Sequence, residues 1–166
     1  MSKKSNIKGF TIIEVVLVLA IAGLIFLMVF VALPALQRSQ RDTQRRDDMA
    51  RFLSQLTQFQ ANNNNGIPGS GSTGKKWNDD FVDKYLRVGG DKFQDPSGAD
   101  YVVQTAKACT VSECKQLSQD EDYKNGYIRV LTNATCSGED PVYNASKLKV
   151  AVTYKLEGSG IYCASN

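Results

Sequence analysis

Between Phe10 and Leu36 the chain is almost wholly apolar, and Glu14 is the one charged side chain in that run. Val15 to Leu33 carries no polar side chain at all. At about 1.5 Å per residue that stretch makes a helix of about 28 Å, close to the ~30 Å hydrocarbon core of a bilayer. A buried core helix is excluded on two grounds. The run is apolar on every face, and the rest of a 166-residue chain is too small to surround it. A carboxylate at the centre of a membrane helix costs roughly 2.5–3.5 kcal/mol, and less near an interface. Glu14 is therefore a candidate functional residue that needs a counter-charge.

The segment ahead of the run, Met1 to Gly9, is polar and carries Lys3, Lys4 and Lys8. A secretory signal peptide places its cleavage site after the apolar region and discards that region. Here the small residue, Gly9, comes first. Cutting after Gly9 keeps the apolar helix and creates an amino group on Phe10, the obvious partner for Glu14. The cationic leader stays cytoplasmic by the positive-inside rule, so the C-terminus crosses out.

The order Lys3, Lys4, Lys8, then Gly9-Phe10-Thr11-Ile12-Ile13-Glu14 and the apolar run resembles the class III leader of type IV pilins and their relatives. The resemblance covers residues 3–36. It implies a prepilin peptidase that cuts between Gly9 and Phe10 and methylates the new N-terminus. It implies that Glu14 pairs with a neighbour's Phe10 ammonium during assembly, with Thr11 adding hydrogen bonds nearby. It also implies local loosening of the helix at Gly23 and Pro34 when packed in a filament. Pro34 removes a backbone donor and crowds the carbonyl at residue 30. The proline of familiar pilins lies a few residues nearer the N-terminus, so the extent of any melted segment is open.

Charge bears on partners. Residues 37–51 hold five Arg against three Asp, and from residue 63 onward there are 12 basic and 13 acidic side chains. Removing the leader leaves a side-chain charge near zero and no basic face in the head, which speaks against nucleic acid. There is no His, which removes His-based triads and the usual His-containing zinc sites. Cys109, Cys114, Cys136 and Cys163 all lie in the part expected outside, where an even count reads as disulfides. Of the three possible pairings the favoured one is Cys109–Cys114, a tight local loop, with Cys136–Cys163, which ties the chain's end to the sheet. A zinc site made of the four cysteines is the rival.

The chain divides into a leader (1–9), an apolar membrane and assembly helix (10–36), an amphipathic continuation (37–62) and an extracellular β-sheet head (63–166). In the continuation, Asp42–Arg46 and Asp47–Arg51 are spaced for i,i+4 pairs. Met49, Phe52, Leu53, Leu56 and Phe59 recur at helical spacing and form the stripe a head packs against. The Asn62–Asn65 run and Gly66 end the helix. Gly69-Ser70-Gly71-Ser72-Thr73-Gly74-Lys75-Lys76 mimics a phosphate loop, but Lys76 stands where a hydroxyl is needed and no strand precedes it. A short helix over Asn78–Leu86 is capped at Asn78 or Asp79. Asp95-Pro96-Ser97-Gly98 is a turn. Strands are expected at Tyr101–Thr105, Gly126–Thr132, Leu148–Leu156 and Gly160–Cys163. In the third, Leu148, Val150, Val152, Tyr154 and Leu156 alternate with Lys149, Ala151, Thr153 and Lys155, which predicts one buried and one solvated face. Glu157 to Gly160 turns it into the last strand. The run from Trp77 through Tyr85, Leu86 and the Asp95 turn to Tyr101 also resembles the helix-to-sheet region of secretion pseudopilins and several pilins.

The fold class is thus α+β: a long N-terminal helix, transmembrane in its first half, packed on a small antiparallel sheet. No cofactor or metal is expected. Asp79, Asp80, Asp83, Asp91, Asp95 and Asp100 crowd one region, and calcium takes such ligands, but they lack EF-hand order and read as turn acids. Asn133-Ala134-Thr135 and Asn144-Ala145-Ser146 match the glycosylation sequon by chance. What the resemblance implies is a non-enzymatic filament subunit, a homo-oligomer of many copies, membrane-held before assembly and surface-exposed after it. The retained Glu14 and a C-terminal loop closed by Cys136–Cys163 favour a major surface pilin. A pseudopilin of a secretion or DNA-uptake machine and a minor pilin at a filament tip are the alternatives. A membrane-tethered enzyme is the reading from another class, disfavoured without His, nucleophile elbow or acid pair.

Cleavage after Gly9 is testable by intact mass of the mature protein. The chain should start at Phe10 with an N-methyl group, and a mature form that keeps Lys8 or begins beyond Leu36 overturns the leader assignment.

Overall fold

The computed structural model describes residues 9–68, 77–114, 126–158 and 160–166, the side chains at 105 and 106 excepted. The charged leader and the Gly69–Lys76 loop lie outside the described residues. The chain divides into two units, residues 1–38 and 39–166, and helix α1 (Ile12–Asn62) begins in the first and ends in the second.

Among the described residues of the first unit, α1 is the whole of the regular structure. It runs unbroken through Gly23 and Pro34, so this chain on its own keeps helix at both positions. No part of its apolar window is buried.

In the second unit α1 ends where the asparagine run begins. Asn64 and Asn65 adopt φ of 51° and 60°, a left-handed conformation that asparagine tolerates better than most residues. The N–H of Asn65 returns to the Gln60 carbonyl at 2.8 Å, which closes the helix. Helix α2 (Trp77–Leu86) follows, wound with i→i+5 hydrogen bonds rather than as an α-helix. The Arg87 N–H continues that pattern to the Val82 carbonyl. The wider turn brings Trp77, Phe81, Val82 and Leu86 onto one buried face. Asn78 is not the cap that its position implies: its side chain bonds the backbone of Val103 instead.

Among the described residues six strands follow: β1 (Val102–Ala108), β2 (Tyr127–Thr132), β3 (Ala134–Ser137), β4 (Asp140–Tyr143), β5 (Val150–Lys155) and β6 (Ile161–Ser165). The main sheet has the order β1-β2-β5-β6. β2–β5 and β5–β6 are antiparallel, as the hairpin reading requires. β1 and β2 are parallel, so the sheet is mixed rather than antiparallel. A parallel pair needs a long crossover, and the connection between Ala108 and Tyr127 supplies the length. The β3–β4 hairpin was not foreseen. Its strands are short, and Pro141 lies inside one of them, which is tolerable only because this two-stranded sheet is all edge. Gly138 (φ 65°) takes the first central position of its turn, where a type II′ hairpin turn uses glycine.

The core lies between one face of the main sheet, α2 and the C-terminal part of α1. Met49, Phe52 and Leu56 of the expected stripe are fully buried there, with Leu53 nearly so and Phe59 at the margin. Phe52 contacts the rings of Trp77, Phe81 and Phe93, and the chain of rings continues through Tyr101 to Tyr154. The expected alternation in β5 fails. Val150 through Tyr154 are all buried, because the second face of the sheet is covered as well. Cys109, Cys114, Leu131, Ala134, Ala151 and Cys163 form a small cluster on that side. Cys109 is bonded to Cys114 and Cys136 to Cys163, with Cα separations of 4.7 and 5.8 Å.

Leu56 is fully buried in this core. Leu56→Ala should destabilise the folded head by about 2–5 kcal/mol in chemical denaturation, the usual range for a buried leucine. A loss below about 0.5 kcal/mol, the range of surface sites, would place this stripe outside the core.

Candidate assembly site

The N-terminal site is built on the first turn of α1. Helical geometry starts at Ile12, so Thr11 is the N-cap residue and Glu14 lies three residues on. Glu14 Oε2 accepts the Thr11 N–H at 2.8 Å and the Thr11 hydroxyl at 2.7 Å. The Glu14 N–H approaches Thr11 Oγ1 at 3.4 Å. These reciprocal bonds make a capping box, the T-x-x-E arrangement that satisfies two donors at a helix start. Thr11 is therefore more than a nearby polar group. That signal was legible in Thr11-Ile12-Ile13-Glu14. With the leader attached, the Phe10 nitrogen is an amide, and the Glu14 carboxylate is held by Thr11 and by the positive end of the helix dipole.

Around this box the surface is apolar. Phe10 is 90% exposed and Ile12 85%. Leu17, Leu24, Phe26, Phe30 and Leu36 are all more than half exposed. Gly23 has open space where a Cβ would stand. Such a surface requires lipid or apolar protein around it.

In the second unit a polar centre that sequence reasoning missed holds α1 against two turns of the head. The Arg45 side chain is only 3% exposed. Its guanidinium meets Asp95 through two bonds, Nε to Oδ2 at 2.6 Å and Nη2 to Oδ1 at 2.9 Å. Nη1 donates to Asp42 at 2.8 Å and Nη2 to Glu157 at 2.7 Å. Asp42 also accepts the N–H groups of Glu157 and Gly158, at 2.9 and 2.7 Å. A Cβ on Gly158 would lie 2.9 Å from Asp42 Oδ2, so a side chain there would displace the carboxylate. Arg41 adds a partly exposed pair with Glu157 at 2.7 Å. The Tyr154 hydroxyl donates to Asp95 at 2.6 Å and accepts the Gly126 N–H. Nearby, the Tyr101 hydroxyl donates to Asp48 at 2.8 Å.

The electrostatics follow from these contacts. Burial pushes the Asp95 carboxyl up, but donors from Arg45, Ser97 and Tyr154 outweigh it and leave its pKa far below the usual carboxylate range. Asp42 is likewise raised by burial and lowered more by the Glu157 and Gly158 N–H groups and Arg45. Arg41 and Arg45 hold Glu157 down. Asp48 goes the other way, because burial outweighs its bond from Tyr101. The two tyrosines are pushed up, first by burial and then by donating to carboxylates.

Close ion pairs account for four of the six aspartates that crowd the sequence. Asp95 belongs to the Arg45 centre, Asp91 pairs with Arg51, Asp80 with Lys84, and Asp83 with Arg87. Among the described residues no cluster has the make-up of a metal site. The expected helix pairs are replaced: Asp42 takes Arg45 rather than Arg46, and Arg51 takes Asp91 rather than Asp47. Arg46 lies over the ring of Tyr162.

The family model of the prokaryotic N-terminal methylation motif matches residues 4–30. The match spans the leader's end, the Gly9–Phe10 junction, the capping box and most of the apolar run, and it supports a type IV pilin-like prepilin, of pilin or pseudopilin type. Such an N-terminus implies processing by a peptidase and handling by assembly machinery, and the apolar helix fits membrane anchoring. No curated protein and no solved structure matches the chain.

Arg45→Met leaves buried Asp95 and Asp42 without their cation and should cost about 3–5 kcal/mol at pH 7, the usual penalty for breaking a buried pair. The folded carboxyls of the wild type are depressed, so their stabilisation is present above the unfolded values near 4 and is lost as pH falls below them. The variant lacks the part of that depression that Arg45 supplies. Denaturation midpoints of the two proteins should therefore converge between about pH 5 and pH 2, and a constant gap would show that Arg45 does not set these titrations.

Proposed function

We propose that this protein is a structural subunit, the major pilin, of a type IV pilus. The observation that carries the reading is the apolar helix start, exposed on every face, with one carboxylate placed in its first turn. The leader keeps the chain oriented in the membrane until a prepilin peptidase removes it. Cleavage turns the Phe10 amide into an ammonium beside the Thr11–Glu14 box. Glu14 then has a cationic partner on its own or a neighbouring helix, and pairing neutralises both charges in a low-dielectric bundle. Many copies bundle through residues 10–36, and the heads face outward on the surface filament. The Cys136–Cys163 bridge, which closes a long C-terminal loop, favours a surface pilin over a pseudopilin of a secretion or uptake machine. The protein performs no catalysis in this reading.

Glu14→Ala separates an anchor from an assembly subunit, because the two respond with opposite sign. Loss of the carboxylate makes the helix more apolar, so a pure anchor tolerates or gains from it. A filament subunit loses the counter-charge for Phe10 and should yield few or no filaments, with the membrane pool intact and cleavage verified by mass. Normal filament yield from correctly processed Glu14→Ala protein would overturn the assembly role.

A further inference from the structure

Glu14 and Arg38 are consecutive charges in the sequence, and residues 15–36 between them carry no polar side chain. Both lie on α1 within the first unit, where the helix is unbroken. They therefore stand about 36 Å apart along the axis, against ~30 Å for the hydrocarbon core of a bilayer. When the apolar run fills that core, each charge reaches headgroup level on its own side, with little length to spare. Glu14 has its partner within the chain, in the N–H and hydroxyl of Thr11. Arg38 has none. Of the five arginines in residues 37–51, Arg41, Arg45 and Arg51 make ion pairs and Arg46 lies over the Tyr162 ring. Asp42, the acid four residues after Arg38, is filled by Arg45 and by the N–H groups of Glu157 and Gly158. Among the described residues the exposed Arg38 side chain has no ion pair, hydrogen bond or ring contact.

We propose that Arg38 is a lipid-phosphate site: its guanidinium donates to phosphate oxygens of phospholipid headgroups in the leaflet opposite the leader, and so fixes the depth of the apolar helix. The inference rests on the membrane reading of α1 and not on the filament reading. The ligand is the phosphodiester of the bilayer itself, because that is the anion present at the level where the apolar run ends. A guanidinium suits it, since its planar fork meets two phosphate oxygens with charge-assisted bonds. The long apolar stem of arginine lies along the edge of the hydrocarbon while the head reaches the interface. Sliding the helix toward the leader would draw that charge into hydrocarbon, which is costly. Arg38 thus stops the span at its outer end.

The test uses the full-length chain, its arginines isotopically labelled, in vesicles of phosphatidylcholine and phosphatidylglycerol in phosphate-free buffer. Retention on the vesicles after a carbonate wash reports the span. Solid-state NMR recoupling of guanidinium nitrogen to lipid phosphorus reports the contact. The leader holds lysines and no arginine, so it is silent in this measurement. Wild type should be retained and should show the recoupled signal. Arg38→Gln should be retained equally and should lose that signal. In Arg38→Leu, hydrogen exchange over residues 37–40 should slow as the end of the span sinks into the bilayer. Retained wild type without the recoupled signal overturns the proposal. So does a signal that persists in Arg38→Gln, which would assign it to another arginine. Unchanged exchange in Arg38→Leu overturns the role in depth. Wild type that washes off the vesicles overturns the membrane reading, and the proposal with it.

Discussion

The guanidinium of Arg45 is the contact on which the arrangement of the head depends. An arginine buried this deeply survives only if its charge and its donors are met. Here they are met by carboxylates 3, 50 and 112 residues away in sequence, on α1 itself, on the Asp95 turn and on the turn between β5 and β6. Apolar contact has no direction, so the stripe on α1 could slide or rotate over the sheet at modest cost. A planar fork that meets one carboxylate with two bonds and two more at its flanks has far less freedom. The Tyr154 hydroxyl carries the same constraint into β5 through Asp95. The helix, the turn and the sheet are thereby held in one relation.

The two faces of the main sheet are covered by different means. One face meets large aromatic and aliphatic side chains from α1 and α2, and needs no covalent help. The other meets a thin cluster whose members are mostly small, five of its six buried residues being Cys or Ala and Leu131 the sixth. Two short strands over so little apolar area would pack weakly, since burial energy scales with area. The Cys136–Cys163 bridge, from β3 to β6, supplies the connection that area does not. This division also removes the solvated face that alternation in β5 implies.

The first turn of α1 solves a different problem. A lone carboxylate beside a membrane-length apolar run would need a partner at once. The Thr11 N–H and hydroxyl provide one inside the chain, and the helix dipole adds to it. Glu14 is thus satisfied locally while the leader is still attached, by the residue that follows the nitrogen that the proposed cleavage would charge.

Much was determined by sequence alone. Hydropathy marked the apolar helix and the acid within it, and the order of leader, junction and acid carried the resemblance that the methylation-motif match supports. Helical period marked the core stripe from Met49 to Phe59, the asparagine run marked the end of α1, and the Glu157 to Gly160 turn marked the final hairpin. These are local signals, read from composition and spacing along one stretch of chain. The tertiary structure alone decided the parallel pairing of β1 with β2, the burial of both faces of β5, and the partners of Asp42, Arg45, Asp48, Asn78 and Arg51. Each depends on which distant segment arrives beside it. A charged or amide side chain spaced for a helix pair or a cap will abandon that weak, solvent-screened contact when folding offers it a buried partner, because a bond shielded from water is stronger and its absence costs more.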